Sequence, residues 1–208
     1  MPDGAYNEPP SPTALLRLRE ERRLVREAYG FLDEKRLLLA AEVLRQTQAY
    51  ESEMQAFHEL HRRAATALRE ALLRHGLDGL EVYPAPASGD AGLNIKSRNF
   101  LGVHLLTAEL QPGSATDAPS PINPSPEAER CTPLFQELVS RATALAARSG
   151  NLHRLLNEYH RTERRARALA DVILPELEAG LNYMAAQLEE ADQEDIVRVR
   201  LGARSRTE

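Results

Sequence analysis

The fold is decided by residues 13–76, which read TALLRLREERRLVREAYGFLDEKRLLLAAEVLRQTQAYESEMQAFHELHRRAATALREALLRHG. This stretch contains no proline, and Gly30 is its only glycine before the closing Gly76. A mean helix has about 12 residues, so an unbroken run of this length is exceptional. At 1.5 Å per residue it predicts a helix roughly 90 Å long. The preceding Ser11-Pro12-Thr13 supplies a capping hydroxyl and a proline suited to the first helical position.

An apolar seam runs along this predicted helix at alternating steps of three and four residues. Thirteen of its seventeen positions are apolar, which is the heptad-like pattern of a helix that packs against another helix. The seam consists of Leu15, Leu18, Arg22, Val25, Tyr29, Leu32, Arg36, Leu39, Val43, Thr47, Tyr50, Met54, Phe57, His61, Ala64, Leu68 and Leu72.

Residues 132–200 predict a second long helix with a seam of its own. That seam includes Leu138, Ala142, Leu145, Leu152, Leu156, Tyr159, Ala166, Leu169, Ile173, Leu177, Leu181, Met184 and Leu188. Pro175 lies inside this helix, and an interior proline predicts a kink. Two helices of similar length predict an antiparallel pair, and pairing Leu15 with Arg198 gives residue numbers that sum to about 212.

The rest of the chain divides by composition. Residues 1–12 are predicted to be a disordered tail, residues 111–131 a Pro-rich linker, and residues 201–208 a basic tail. Residues 77–110 are predicted to form a small head. It contains short strands at 80–83 and 102–106, with a turn at Ser88-Gly89-Asp90 between them. The predicted fold class is therefore mainly α: a long antiparallel two-helix coiled coil whose central insert contains short β-strands.

Composition narrows the classes of function. The net charge is −5, and a pI of 5.8 argues against nucleic-acid binding. A single cysteine, Cys131, excludes a disulfide framework and favours a reducing compartment. No apolar run approaches the length of a membrane-spanning helix, and the Pro-rich start is unlike a signal peptide. We therefore expect a soluble intracellular chain that does not insert into a membrane.

Motifs for catalysis are missing from the sequence. His58 and His61 are spaced i, i+3, whereas a helical zinc motif needs i, i+4. The sequence contains no phosphate-binding glycine loop and no Gly-x-Ser-x-Gly elbow. We therefore expect no catalytic residue, cofactor or metal ligand, and no enzyme activity of the chain by itself. A helical-bundle metalloenzyme is a remote alternative.

Basic residues are the candidate contact residues. Arg161, Arg164, Arg165 and Arg167 form a dense cluster on the second helix, which we call the arginine cluster. The chosen register predicts that this cluster faces residues 45–51. It also predicts that residues 176–195, a stretch rich in Asp and Glu, face residues 17–36, a stretch rich in Arg and Lys. The candidates in that stretch are Arg22, Arg23, Arg26, Lys35 and Arg36.

The order of residues around the arginine cluster carries a family resemblance. Residues 157–169 read NEYHRTERRARAL and residues 173–177 read ILPEL. They resemble the C-terminal signature of the D subunit of V-type and A-type ATPases, Asn-Glu-x-x-Arg-Thr-x-Arg-Arg-x-Asn-Ala-Leu followed by x-Ile-Pro-x-Leu. Further stretches resemble the same family: Pro12-Thr13, Leu15-Leu16-x-Leu18, Gly30, Glu34-Lys35-Arg36 and Arg98-Asn99-Phe100-Leu101-Gly102-Val103. Tyr29, Leu37, Leu174 and Arg167 depart from the pattern, as in a divergent member.

The resemblance implies a central rotor shaft that couples ATP synthesis or hydrolysis to the translocation of protons or sodium ions. The implied partners are the A and B subunits of the catalytic hexamer, the F subunit and a C/d-type subunit above the membrane ring. The implied location is peripheral, on the cytoplasmic side of the membrane. The alternative from a different class is a non-enzymatic antiparallel coiled-coil adaptor or tether, which copurification with A and B subunits would distinguish from a rotor shaft.

Overall fold

The computed structural model describes residues 9–81, 83, 92–111 and 124–204. Two long helical segments and a small antiparallel hairpin between them make up this part of the chain, which confirms the predicted fold class. The elements are α1 (Pro12–Glu81), β1 (Gly92–Phe100), β2 (Val103–Gln111), α2 (Pro126–Ala168), a π turn (Leu169–Ile173) and α3 (Leu174–Arg204).

Both long helices begin with a serine followed by a proline. Ser11 Oγ accepts a hydrogen bond from the Ala14 N–H at 3.1 Å, and Ser125 Oγ accepts one from the Ala128 N–H at 3.2 Å. A proline at the next position has no N–H that could be left unpaired. The structure therefore confirms the expected capping hydroxyl of α1, at Ser11.

The predicted start of the second helix is wrong, because residues 126–131 belong to α2 and not to a linker. The cap at Ser125 and the acidic side chains of Glu127 and Glu129 in the first turn favour a helix here. Pro133 consequently lies inside the helix. The part of the predicted linker at 112–123 lies outside the described residues.

The first helix does not end at Gly76. Gly76 has φ +69° and ψ 178°, a backbone conformation that glycine adopts without strain, and the helix bends there and resumes. Leu80 and Glu81 are its last residues, so the strand predicted at 80–83 is wrong. Val82 lies outside the described residues.

The hairpin is longer than predicted. Its strands pair in register from Gly92↔Gln111 to Phe100↔Val103. Leu101 and Gly102 form the turn, with φ of 50° and 89°, and Asn99 Oδ1 accepts a hydrogen bond from the Gly102 N–H at 3.0 Å. The strand predicted at 102–106 corresponds to β2, whereas the sequence patterns do not predict β1. The turn predicted at 88–90 lies outside the described residues.

The chain divides into two compact units, and each contains a piece of both long helices. The upper unit joins Met1–Leu38 to Tyr159–Glu208, and the lower unit is Leu39–Glu158; "upper" and "lower" serve only as labels. In the lower unit, ion pairs join Glu53 to Arg148 and Arg74 to Glu127. Along α1 the paired residue moves from Glu53 to Arg74, while its partner on α2 moves back from Arg148 to Glu127. These two helical pieces therefore run antiparallel.

The predicted register is wrong by about two helical turns in the upper unit and about three in the lower unit. Arg26 pairs with Glu178 in the upper unit, and these residue numbers sum to 204. The two pairs of the lower unit each sum to 201, whereas the predicted sum is about 212. Part of the shift arises because α2 begins at Pro126, six residues before the predicted start at 132.

The buried residues follow the predicted seams only in part. In the lower unit the last buried row of α1 is Leu60, Ala64, Ala67 and Ala71, whereas the predicted His61 and Leu68 are exposed. On α2, the predicted Ala142 and Leu156 are also exposed. The remaining buried apolar residues of this unit are Leu39, Val103, Leu105, Ala128, Leu145 and Leu155. Those of the upper unit are Ala14, Ala166, Leu177, Leu181 and Met184.

A π turn precedes Pro175. The Leu174 N–H donates to the Leu169 carbonyl, five residues back, which is the π pattern. Pro175 follows as the second residue of α3 and has no N–H to donate. α3 then continues to Arg204, so residues 201–204, predicted to be a tail, are helical. Residues 205–208 lie outside the described part.

Candidate subunit-contact surfaces

The arginine cluster lies on the exposed surface of α2. Arg161, Arg164, Arg165 and Arg167 are all exposed. Arg167 donates to Glu163 Oε1 at 2.7 Å. The other three form no ion pair with any residue in the described ranges. Their guanidinium groups are therefore available to carboxylates of another chain.

The neighbours of the arginine cluster differ from the prediction. Arg165 borders a groove in the upper unit together with Ala28, Phe31 and Leu32 of α1. Ala168 and Leu169 complete the lining. The cluster thus adjoins residues 28–32, whereas the predicted register places it opposite 45–51. The shift of register accounts for part of this difference.

The basic candidates of α1 are mostly engaged within their own helix. Arg23 hydrogen-bonds to Glu20 and Glu27, and Arg36 donates to Asp33 at 2.6 Å. Arg22 and Lys35 are half-buried. These contacts make this set a weaker candidate surface than the arginine cluster.

Arg26 makes the ion pair that links the predicted basic and acidic stretches. Its Nη2 lies 2.6 Å from Glu178 Oε1 on α3, and both side chains are exposed. Exposed ion pairs contribute about 0–1 kcal/mol, so this contact orients the helices more than it stabilises them.

A single asparagine fastens the hairpin to α2, and the sequence patterns do not point to it. The Leu106 N–H donates to Asn151 Oδ1 at 2.7 Å, and Asn151 Nδ2 donates to the Leu106 carbonyl at 2.7 Å. The amide therefore pairs with both backbone groups that Leu106 directs away from β1, as a neighbouring strand would; we call this pair of hydrogen bonds the amide clamp. Asn151 is buried, which makes the amide clamp costly to lose.

A buried carboxylate connects the hairpin to α1. Glu42 accepts hydrogen bonds from Arg45 Nε at 2.8 Å and from Gln46 Nε2 at 2.9 Å. Arg98 of β1 lies 3.6 Å from the same carboxylate. The hydrogen bonds from Arg45 lower the pKa of Glu42, and the bond from Gln46 and the charges of Arg45 and Arg98 act in the same direction, while burial opposes them. Glu42 is therefore held in its charged form.

We expect Glu42→Gln to lower the free energy of unfolding by about 1–3 kcal/mol at neutral pH, since charged hydrogen bonds are lost inside the protein. Because the folded-state pKa lies below that of the unfolded chain, the carboxylate stabilises the fold above about pH 4.5 and this contribution is lost as the pH falls further. The difference between variant and parent should therefore shrink in acid. Urea unfolding at neutral pH and in acid measures this difference in the free energy of unfolding. Glu51→Gln, at an exposed position of α1, is the control. An equal difference at both pH values would contradict the assignment.

The start of α2 is joined to the end of the first segment of α1. His75 Nε2 lies 2.6 Å from Ser125 Oγ, the capping hydroxyl of α2. One residue earlier, Arg74 Nη1 donates to both carboxylate oxygens of Glu127 at 2.9 Å. This junction closes the lower unit on the side of the insert.

Other candidate chemistry is not assembled by the fold. Within the described ranges, no three His, Cys, Asp or Glu side chains come close enough to hold a metal ion. The ring of His61 stacks near that of Phe57 on α1, and the ring of His58 is tilted against it. Burial raises the pKa of the Cys131 thiol, with a further contribution from Glu70, and this disfavours the nucleophilic thiolate. Among the described helices, none has an apolar stretch that could cross a bilayer.

The sequence matches one protein family over most of its length. Residues 14–201 match the sequence model of a family described as the D subunit of ATP synthase. This range begins in the first turn of α1 and ends in the last turns of α3. It therefore includes the arginine cluster, the amide clamp and the hairpin.

Curated relatives cover almost the whole chain. The D subunit of an A-type ATP synthase from Thermococcus sibiricus is 26% identical over 198 residues, which are 92% of this chain and 91% of the relative. The D subunit of a V-type ATP synthase from Anaeromyxobacter dehalogenans is 30% identical over 194 residues, 89% of this chain and 90% of the relative. The corresponding V-type protein of Thermotoga neapolitana is 23% identical over 191 residues, with 89% and 92% covered.

Proposed function

Because the chain belongs to the family of ATP synthase D subunits, we propose that it is the central rotor shaft of a V-type or A-type rotary complex. In this role it couples ATP synthesis or hydrolysis in a hexamer of A and B subunits to the translocation of protons or sodium ions through a membrane ring. The observation that carries the proposal is the family match over residues 14–201. The antiparallel packing of the two long helices in each unit agrees with it.

The proposed role is mechanical and needs no catalytic residue in this chain. Its partners are the A and B subunits, the F subunit and a C/d-type subunit, and the complex acts at the cytoplasmic side of the membrane. Torque passes between subunits through contacts of shape and charge. The exposed members of the arginine cluster suit such contacts, because a planar guanidinium binds a carboxylate with two hydrogen bonds.

Weak contacts suit a shaft that turns. An exposed ion pair contributes only about 0–1 kcal/mol and can break without a large barrier. Arg161, Arg164 and Arg165 can therefore engage one acidic partner after another as the shaft rotates. A more tightly buried ion pair would hold the shaft in one position.

We expect the double variant R164E/R165E to slow ATP-driven rotation and to reduce the coupling of ATP turnover to ion transport. Its free energy of unfolding should change by less than about 0.5 kcal/mol, because both side chains are exposed. Rotation of a bead attached to the shaft in the reconstituted complex measures the first effect, and ion uptake into vesicles measures the second.

The control for this experiment is R63E/R69E. Both arginines are exposed on α1 in the lower unit and form no ion pair with a described residue. This control applies the same change of net charge outside the arginine cluster. Parental rotation and coupling in R164E/R165E would contradict the contact, and failure of the chain to copurify with A and B subunits would contradict the rotor role itself.

A further inference from the structure

The upper unit carries a second apolar surface beside the seam between its helices. A groove with a volume of about 480 Å³ lies between α1 and the end of α2, and Phe31 in its lining is 66% exposed. Leu24 and Leu38 lie seven residues on either side of Phe31, and both are exposed. Apolar residues repeated every seven positions form the stripe to which a further helix packs.

One rim of the groove is basic. Arg165 lines the groove, and Arg161 lies one helical turn before it on the same side of α2. Neither forms an ion pair with a residue in the described ranges, and both are exposed. On α1, Glu27 already accepts a hydrogen bond from Arg23. The unpaired charge beside the groove on α2 is therefore positive.

We propose that this groove binds an amphipathic helix of a partner protein that carries Asp or Glu beside its apolar stripe. The row from Leu24 to Leu38 is about 21 Å long at 1.5 Å per residue, which corresponds to four turns of the bound helix. Apolar side chains of that helix pack on Phe31, and its carboxylates reach Arg161 and Arg165. The inference rests on the proposed function only in that it treats the arginine cluster as a contact surface.

Charge selects this occupant over a second copy of the chain. Two copies that pack groove to groove would bring their arginine clusters close together, and like charges in such contacts are unfavourable. An acidic helix has the complementary charge. Its binding should weaken as salt screens the exposed pairs.

The test uses the full chain and two synthetic helical peptides of four turns. The peptides share one Leu and Ala stripe, and their flanking residues are Glu in the first and Lys in the second. We expect the Glu peptide to bind at least about tenfold more tightly, since the flanks meet the basic rim. Fluorescence anisotropy of a labelled peptide at low and moderate salt measures both affinities.

Variants of the chain locate the binding. Phe31→Asp and the double variant R161E/R165E should each weaken the Glu peptide by about tenfold or more, as central contacts do in interfaces. Leu73→Asp is the matched control, because Leu73 is 78% exposed on α1 in the lower unit. That variant should bind the Glu peptide as the parent does.

Three results would overturn the proposal. They are equal binding of the two peptides, unchanged binding by Phe31→Asp, and a dimer of the chain that Phe31→Asp dissociates. The last result would identify a second copy as the occupant. The proposed function fails separately, when the chain does not copurify with A and B subunits although the Glu peptide still binds.

Discussion

Leu155→Ala should lower the free energy of unfolding by about 2–5 kcal/mol, because it empties a fully buried site in the lower unit. Leu155 is 0% exposed on α2, at a position that the predicted seam omits. Truncation removes apolar contacts and leaves a cavity that the two packed helices can fill only in part. Urea unfolding followed by circular dichroism measures the loss.

The adjacent residue provides the control. Leu156 is 40% exposed, although the seam predicted from the sequence includes it. Leu156→Ala removes the same atoms from a more exposed site, so it should lower the free energy of unfolding by less than about 1 kcal/mol. Equal losses in the two variants would show that the assignment of the buried face of α2 is wrong.

Asn151→Ala should release the hairpin from α2 and destabilise the chain by about 2–4 kcal/mol, because two backbone groups of Leu106 lose their partners. Both hydrogen bonds are 2.7 Å long, and the amide is buried. The amide hydrogens of β1 and β2 should then exchange with solvent faster than those of α1. Hydrogen exchange followed by mass spectrometry measures the effect on each segment.

Two further variants separate the amide clamp from a general loss of helix stability. Asn157→Ala makes the same change at an exposed position of α2, and hairpin exchange should remain at the parental rate. Asn151→Asp keeps an acceptor for the Leu106 N–H but sets a second acceptor oxygen against the Leu106 carbonyl, so it should also speed exchange of the hairpin amides. Unchanged hairpin exchange in Asn151→Ala would contradict the clamp.

The long helices are predictable because their signals are local and repeated. A stretch without proline, an apolar seam and the Ser11-Pro12 start all act within a few residues, so the sequence alone predicts α1. The same Ser-Pro signal occurs at Ser125-Pro126. The neighbouring prolines obscure it there, because they favour a linker.

The register and the amide clamp depend on residues distant in sequence. Pairing of Arg26 with Glu178 is decided by packing along the whole interface, and similar charges occur at several alternative registers. Asn151 is a poor helix former next to Gly150, which is the only local signal that it has a tertiary role. The residues next to Asn151 in the sequence do not indicate that Leu106 is its partner. The resemblance identifies the family, as the match over residues 14–201 confirms, because it depends on the order of residues along the chain and not on the register.

The junction between His75 and Ser125 has a consequence for the evolution of the chain. These side chains are 50 positions apart in sequence and 2.6 Å apart in space, so the insert between them leaves and returns at one place. Doubling the length of a flexible loop with fixed ends costs only about 0.6 kcal/mol. Changes of chain length at residues 84–91 or 112–123, outside the hairpin that Asn151 holds, therefore need not move either long helix. We expect homologues of different length to differ mainly there, while the spacing within each long helix is kept.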